Sequence, residues 1–281
     1  MKKSRIFRRA KKIIQSFRQR SPLAYQRPSG PFTLLGGEAT SSVAMSVNSA
    51  EESRPKGELY RIWQGIPGGH KWWHYFDAYE RFLGEFKSKP IRFLEVGVYN
   101  GGSLAMWRQY LHKDSIIVGL DIDTKCAQYE DKSANVHVRI GDQSDKVFLA
   151  EVIKEFGPFD VILDDGSHIC SHMIKTFEYA FLNGLTESGI YIAEDTHSNF
   201  WLSYRDQEYS FIDLCKDLID ISHSHYHNHD NIYSFTLGSG HRLKSIDVPR
   251  IGAEIQEISF LDSIVVIKRN RHRGLPTTEH L

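Results

Sequence analysis

Three cysteines among 281 residues, Cys126, Cys170 and Cys215, are too few and too irregularly spaced for a disulfide framework or a cysteine-ligated zinc site. A reducing cytoplasm suits such a chain. No run approaches the roughly 18 apolar residues that span a bilayer, and no cleavable secretory signal is recognisable. Net charge is missing as well, because 35 Lys and Arg balance 35 Asp and Glu. The balance is uneven along the chain. Residues 1–37 hold ten basic residues and no acid, leaving 25 basic against 35 acidic residues in the remainder. An acidic body excludes nucleic acid as the main partner.

Within the basic start, Ile6, Phe7, Ile13, Ile14 and Phe17 recur at spacings that form one face of a helix. A membrane-surface helix over residues 1–20, a flexible tail and a transit peptide all fit this pattern. The chain is then cytoplasmic, with peripheral membrane contact under the first of these readings. Residues 21–56, rich in Ser, Gly and Pro, read as a linker. The expected organisation is an extension and linker over 1–57 and one α/β domain over 58–281.

From Glu58 onward helical and strand-like blocks alternate. Residues 70–86 read as an aromatic-rich helix, 91–98 as a strand ending in a glycine-containing loop, and 104–111 as a helix. Further strands are expected at 115–121, 136–140, 159–163 and 189–193, with helices over 144–156, 170–185 and about 211–221. This alternation implies a mostly parallel sheet with helices on both faces. Two late strand-like runs, 232–236 and 263–268, have no helix between them and are expected to pair antiparallel.

Ligands of an open α/β sheet bind at the carboxyl ends of its strands, where strand order reverses, and every polar cluster here falls at such an end. After the first strand comes Glu95-Val96-Gly97-Val98-Tyr99-Asn100-Gly101-Gly102-Ser103. Its glycines permit a tight turn and bring backbone N–H groups to a ligand, although the same turn also serves as plain punctuation. Asp121 ends the second strand, where a carboxylate accepts hydrogen bonds from the ribose of NAD or S-adenosylmethionine. The G-x-G-x-x-G spacing of NAD sites is lacking. Asp142, Gln143 and Ser144 follow the third strand, placed either to meet an adenine edge or to cap a helix.

Strand four ends in Asp164-Asp165-Gly166-Ser167-His168, and strand five in Glu194-Asp195-Thr196-His197. Neighbouring strand ends gather Asp165, Glu194 and Asp195 with no Lys or Arg between them. Such carboxylates repel unless a cation sits among them. All-oxygen ligation suits Mg²⁺, with Mn²⁺ or Ca²⁺ as alternatives. His168 is either a general base for a hydroxyl acidified by that cation or a helix-capping residue. His172, His197 and Trp201 border the same mouth as substrate candidates. On an extended segment, His223, His225, His227 and His229 would share one side and could bind Zn²⁺ or Ni²⁺; the other reading is a solvated loop.

The runs LEVGVYNGGSLAMW, GLDID, DDGSHICSHMIKTFE, IYIAEDTHSNFW and ISFLDSIVVIK resemble those of metal-dependent macrolide and sugar O-methyltransferases, over about residues 70–268. The resemblance implies a Rossmann-like class I methyltransferase fold with an antiparallel C-terminal strand. It implies S-adenosylmethionine surrounded by Glu95, Gly97, Asp121 and Gln143, together with Tyr99, Asn100, Gly101, Ser103, Asp142 and Asp164. Asp165, Glu194 and Asp195 are then the metal ligands and His168 the base, and residues 71–79 match a segment that closes over the cofactor. The implied acceptor is a hydroxyl of a sugar or glycosylated natural product. A catechol-type O-methyltransferase is the nearest alternative, and an NAD-dependent oxidoreductase the alternative from another class. Self-association into a homo-oligomer is left open.

If residues 1–20 form a membrane-surface helix, cosedimentation should require anionic liposomes and weaken as salt is added. Liposome binding unchanged by deleting those residues would reject the helix.

Overall fold

The computed structural model describes residues 44–46, 50–227 and 229–279, so the basic N-terminal segment and most of the expected linker lie outside the described residues. Five strands pair in parallel: β1 (Arg92–Val96), β2 (Ile116–Asp121), β3 (Val136–Ile140), β4 (Phe159–Asp164) and β5 (Leu185–Ala193). β6 (Ile255–Leu261) and β7 (Ile264–Arg269) complete a seven-stranded sheet ordered β3-β2-β1-β4-β5-β7-β6, with β7 antiparallel to both β5 and β6.

Side chains alternate across each strand, and two cores result. Phe93, Leu163, Ile190 and Val266 face α1 (Glu58–Gln64), α2 (Trp73–Leu83) and α3 (Gly102–Tyr110). Leu94, Ile162, Tyr191 and Ile267 face α4 (Lys146–Phe156), α5 (Cys170–Asn183) and α6 (Phe211–Ser222). β4 is buried on both faces, which is why it reads as a nearly continuous apolar run. α2 buries Tyr75, Phe76, Tyr79, Phe82 and Leu83, a stripe of helical period. α6 starts at Ser210, which accepts from the Asp213 N–H while the Asp213 carboxylate accepts from Ser210, a capping box.

One expected strand is absent. Residues 232–236 contain a short 3₁₀ turn, Ile232–Ser234, and the antiparallel partner of β7 is β6 instead. Phe235 is buried against His225 and Tyr226, while Ile232 and Tyr233 stay half exposed and take no place in the sheet. β7 is the expected antiparallel C-terminal strand, and β6 pairs along its outer side.

The C-terminal pair is held to the sheet through a buried charge. Arg269 Nε donates to Glu254 Oε2 at 2.7 Å and its Nη1 to the Leu185 carbonyl at 2.6 Å, while Arg250 Nε donates to Glu254 Oε1 at 2.7 Å. Burial alone would raise the Glu254 pKa, but the hydrogen bonds from Arg250 and Arg269 outweigh it and hold the carboxyl below the ordinary glutamate range. A pKa depressed by folding contributes stability that is complete above the unfolded value and is lost as pH falls through the folded one. Glu254→Ala should therefore cost about 3–5 kcal/mol near neutral pH, because Arg269 stays buried without its partner. Urea denaturation should also show the variant losing less stability on acidification than the wild type.

Candidate active site

Strand order reverses between β1 and β4. At the carboxyl ends of the parallel strands lies a cleft of about 740 Å³, the position at which doubly wound sheets bind ligands. Gly97 leaves β1 with φ +96°, and a Cβ built on it would lie 2.1 Å from the Asp165 carbonyl oxygen. The glycine is thus required by close approach of the β1 and β4 ends as well as by its backbone angle. Asp121 Oδ2 accepts from the N–H groups of Val98 and Tyr99 at 2.9 and 3.0 Å, and Oδ1 from Asp123 at 2.8 Å. Burial would raise its pKa, but these backbone donors more than compensate and leave it below the ordinary aspartate range.

Of the residues expected around a cofactor, Gly97, Tyr99, Asp121, Asp142 and Gln143 line the cleft, whereas Glu95, Asn100, Gly101, Ser103 and Asp164 do not. Glu95 is fully buried beneath the loop, accepting from Ser103 Oγ at 2.8 Å and Trp107 Nε1 at 3.2 Å. Burial, only partly opposed by the Lys71 ammonium, pushes its carboxyl up to about 7. Asn100 braces the neighbouring chain, donating to the Gly68 carbonyl at 2.6 Å. Gln143 is a hub: Nε2 donates to Asp164 Oδ1 and Thr176 Oγ1, both at 3.0 Å, and Oε1 accepts from Ser167 N–H at 2.7 Å. Asp142 accepts from Ser144 N–H, but the cap of α4 is Asp145.

The other end of the cleft is acidic. One ligand atom from each of Asp165, His168 and Asp195 lies within 4.8 Å of the others, and among the described residues no second group of His, Cys, Asp and Glu converges in this way. His168 Nε2 is 3.9 Å from Asp165 Oδ1 and 3.6 Å from Asp195 Oδ2, and its buried Nδ1 has no hydrogen-bond partner. His168 and Asp195 both adopt left-handed backbone, φ 57° and 51°, a conformation that costs energy in non-glycine residues and concentrates at functional sites. Oxygen donors with an imidazole beside them fit a hard divalent cation.

Glu194 is arranged differently from its expected partners. Fully buried, it accepts through Oε1 from the Tyr79 hydroxyl and through Oε2 from Lys71 Nζ at 2.7 Å. Lys71 Nζ also donates to Asp165 Oδ2 at 2.5 Å. The expectation that no Lys or Arg stands among the carboxylates is thus overturned, because a lysine 94 residues ahead of Asp165 supplies the counter-charge. Burial would lower the Lys71 pKa, but the charges of Asp165 and Glu194 prevail and raise it. Burial pushes the Glu194 carboxyl up, and Asp165 adds to this, while Lys71 draws it back. With an ammonium and a phenol both donating, the ionised pair is the state the geometry holds.

Tyr75 completes this network, its hydroxyl donating to Asp195 Oδ1 at 2.6 Å. Tyr75 and Tyr79 lie one turn apart on one face of α2, and Lys71 belongs to the segment just before that helix. The four-residue spacing of the two tyrosines was the available signal for them, and Lys71, outside the helix, carried none. His172 lines the cleft and pairs with Ser167 Oγ at 3.0 Å. His197 pairs with Ser263 Oγ at 2.7 Å and packs on Trp201 with ring centroids 4.4 Å apart. Neither His197 nor Trp201 lines the cleft itself; with Trp72 they form a rim beside it. The run from His223 is not extended. Residues Ser224–Tyr226 form a 3₁₀ turn that buries His225 and leaves His223 and His227 exposed, so no shared metal-binding side forms.

A sheet in this order, closed by an antiparallel C-terminal pair with helices around it, is the class I methyltransferase fold. No protein-family model matches the chain. Similar curated proteins are sugar and macrolide O-methyltransferases. The chain is 34% identical over 190 residues to the 8-demethyl-8-(2-methoxy-alpha-L-rhamnosyl)-tetracenomycin-C 3'-O-methyltransferase of Streptomyces olivaceus, covering 62% of this chain and 47% of that protein. It is 32% identical over 161 residues to the demethylmacrocin O-methyltransferase of Streptomyces fradiae, covering 52% and 40%. The chain thus spans less than half the length of these relatives. The solved MycE methyltransferase of the mycinamycin biosynthetic pathway, in complex with Mg, SAH and mycinamycin VI, matches with a TM-score of 0.61 and 26% identity over 80% of this chain and 56% of that one.

Gly97→Ala should destabilise the fold by at least about 2 kcal/mol, since the added Cβ meets backbone and the φ is unfavourable. Gly84→Ala, where a Cβ meets nothing within 4 Å, is the control. Equal thermal denaturation of the two variants would show that the β1 and β4 ends are not packed as described.

Proposed function

We propose that this chain is a divalent-metal-dependent O-methyltransferase that moves methyl from S-adenosylmethionine to a hydroxyl of a sugar or glycosylated natural product. The observation that carries the reading is a single cleft with Gly97, Asp121 and Gln143 at one end and Asp165, His168 and Asp195 at the other. The sugar and macrolide O-methyltransferases among its relatives support it, as does the MycE complex with Mg and SAH.

Asp121 and the backbone of Gly97–Tyr99 would hold the ribose end of the cofactor, with Asp142 and Gln143 beside its base. Asp165, Asp195 and Glu194 would hold the cation. When bound, the cofactor supplies an electrophilic methyl group and the cation lowers the pKa of the acceptor hydroxyl. His168 takes the proton at Nε2, the ring nitrogen that faces Asp165 and Asp195. Cys126, the thiol in the cleft, is pushed up to about 12 by burial and by the Asp121 charge. It stays protonated and offers no covalent relay, so the methyl passes directly. Trp72 and Trp201, each about half exposed (48% and 51%), give the rim apolar faces suited to a sugar ring.

Calorimetry should show S-adenosylmethionine binding, weakened in Asp121→Ala by about 1.5–3 kcal/mol, the range for hydrogen bonds to a charged group. Binding of NAD with no binding of the sulfonium compound would end the reading. Incubation with labelled S-adenosylmethionine, Mg²⁺ and a panel of rhamnosyl and olivosyl glycosides should label an acceptor, and a chelator should abolish the transfer. His168→Ala should retain cofactor and metal but lose about 10²–10⁴-fold in turnover. Undiminished transfer in excess chelator would refute the metal's part in the reaction.

A further inference from the structure

Glu194 has one oxygen on the Tyr79 hydroxyl and the other on Lys71 Nζ. The carboxylates that converge beside His168 in the open cleft are instead those of Asp165 and Asp195. The acidic cluster therefore has two halves, one neutralised by Lys71 and one open to the cleft. Lys71 is delivered by the chain between α1 and α2, which contains Gly65, Pro67, Gly68 and Gly69, with Gly68 at φ 71°. Its side chain is 5% exposed, and its neighbours His70 and Trp72 line the cleft. Buried carboxylates without a cation are costly, which gives the ammonium reason to sit there. An ammonium and a divalent cation bonded to the same oxygens would lie side by side and repel.

We propose that Lys71 is a tethered counter-ion that occupies the Asp165–Glu194 half of the cluster before a divalent cation binds, and that the cation displaces it, freeing residues 65–72. The inference rests on the metal-dependent reading above. It makes Lys71 a competitor of the metal and ties metal arrival to movement of the segment carrying His70 and Trp72 at the cleft wall.

The test uses the full chain, stripped of metal and titrated with Mn²⁺, with the free ion followed by electron paramagnetic resonance. Lys71→Met should bind Mn²⁺ about tenfold more tightly than the wild type, because a site occupied most of the time by its own lysine binds with reduced apparent affinity. Lys71→Arg, which keeps the charge, should show no such gain. In the wild type, amine-reactive labelling read by mass spectrometry should spare Lys71 without metal and modify it at saturating Mn²⁺. This arm decides the matter even if Lys71→Met fails to fold. Equal or weaker Mn²⁺ binding by folded Lys71→Met, or an unlabelled Lys71 in the Mn²⁺-saturated wild type, overturns the displacement and leaves the metal-dependent reading standing. Absence of Mn²⁺ binding in both proteins overturns both.

Discussion

Parallel pairing of β4 with β5 forces like charges together. The register sets Asp164 beside Ala193, and Glu194 N–H donates to the Asp164 carbonyl at 2.9 Å, so Asp165, Glu194 and Asp195 emerge side by side at the carboxyl ends of two central strands. Carboxylates this close, with Glu194 fully buried among them, need positive charge or strong donors, and the surroundings are organised to supply them. α2 presents Tyr75 and Tyr79, the segment before it presents Lys71, and the β4–α5 loop turns through left-handed backbone to bring His168 alongside. Gly97 is constrained by the same strand ends, since its missing Cβ leaves room for the Asp165 carbonyl.

Much of this was legible in the sequence because it follows from chain order alone. The apolar runs at β1 to β5 and the acids at their ends were readable, since a parallel sheet fixes which strand ends meet. Asp165, His168 and Asp195 come from adjacent strand ends and do converge. Lys71 was not legible in that way. It reaches the cluster across the cleft from a segment before β1, and nothing in local periodicity reports a contact 94 residues away. Glu95 and Asp164 sit at suitable strand positions, yet their side chains point into the protein, toward Ser103 and Trp107 and toward Tyr191. A motif states that a carboxylate is present but not which face of the pleat it takes. The run at 232–236 shows the same limit from the other side: its apolar content matched a strand, and only tertiary packing assigned that place to β6.

The two ends of the cleft differ in how they are prepared. At the Asp121 end the acceptor atoms are already engaged by backbone N–H groups, which stiffens the loop after β1 in advance of any ligand. At the Asp165 end the carboxylates are held by side chains, Lys71 from the segment before α2 and two tyrosines buried in the core.

The proposal that these carboxylates form a cation site next to a nucleoside site is tested most directly by anomalous diffraction from crystals of the full chain grown with Mn²⁺ and S-adenosylhomocysteine. The account predicts an anomalous peak at bonding distance from carboxylate oxygens of Asp165 and Asp195, with the nucleoside against Asp121 in the same cleft. A cleft holding the nucleoside at Asp121 but no anomalous peak among Asp165, His168, Glu194 and Asp195 would contradict it.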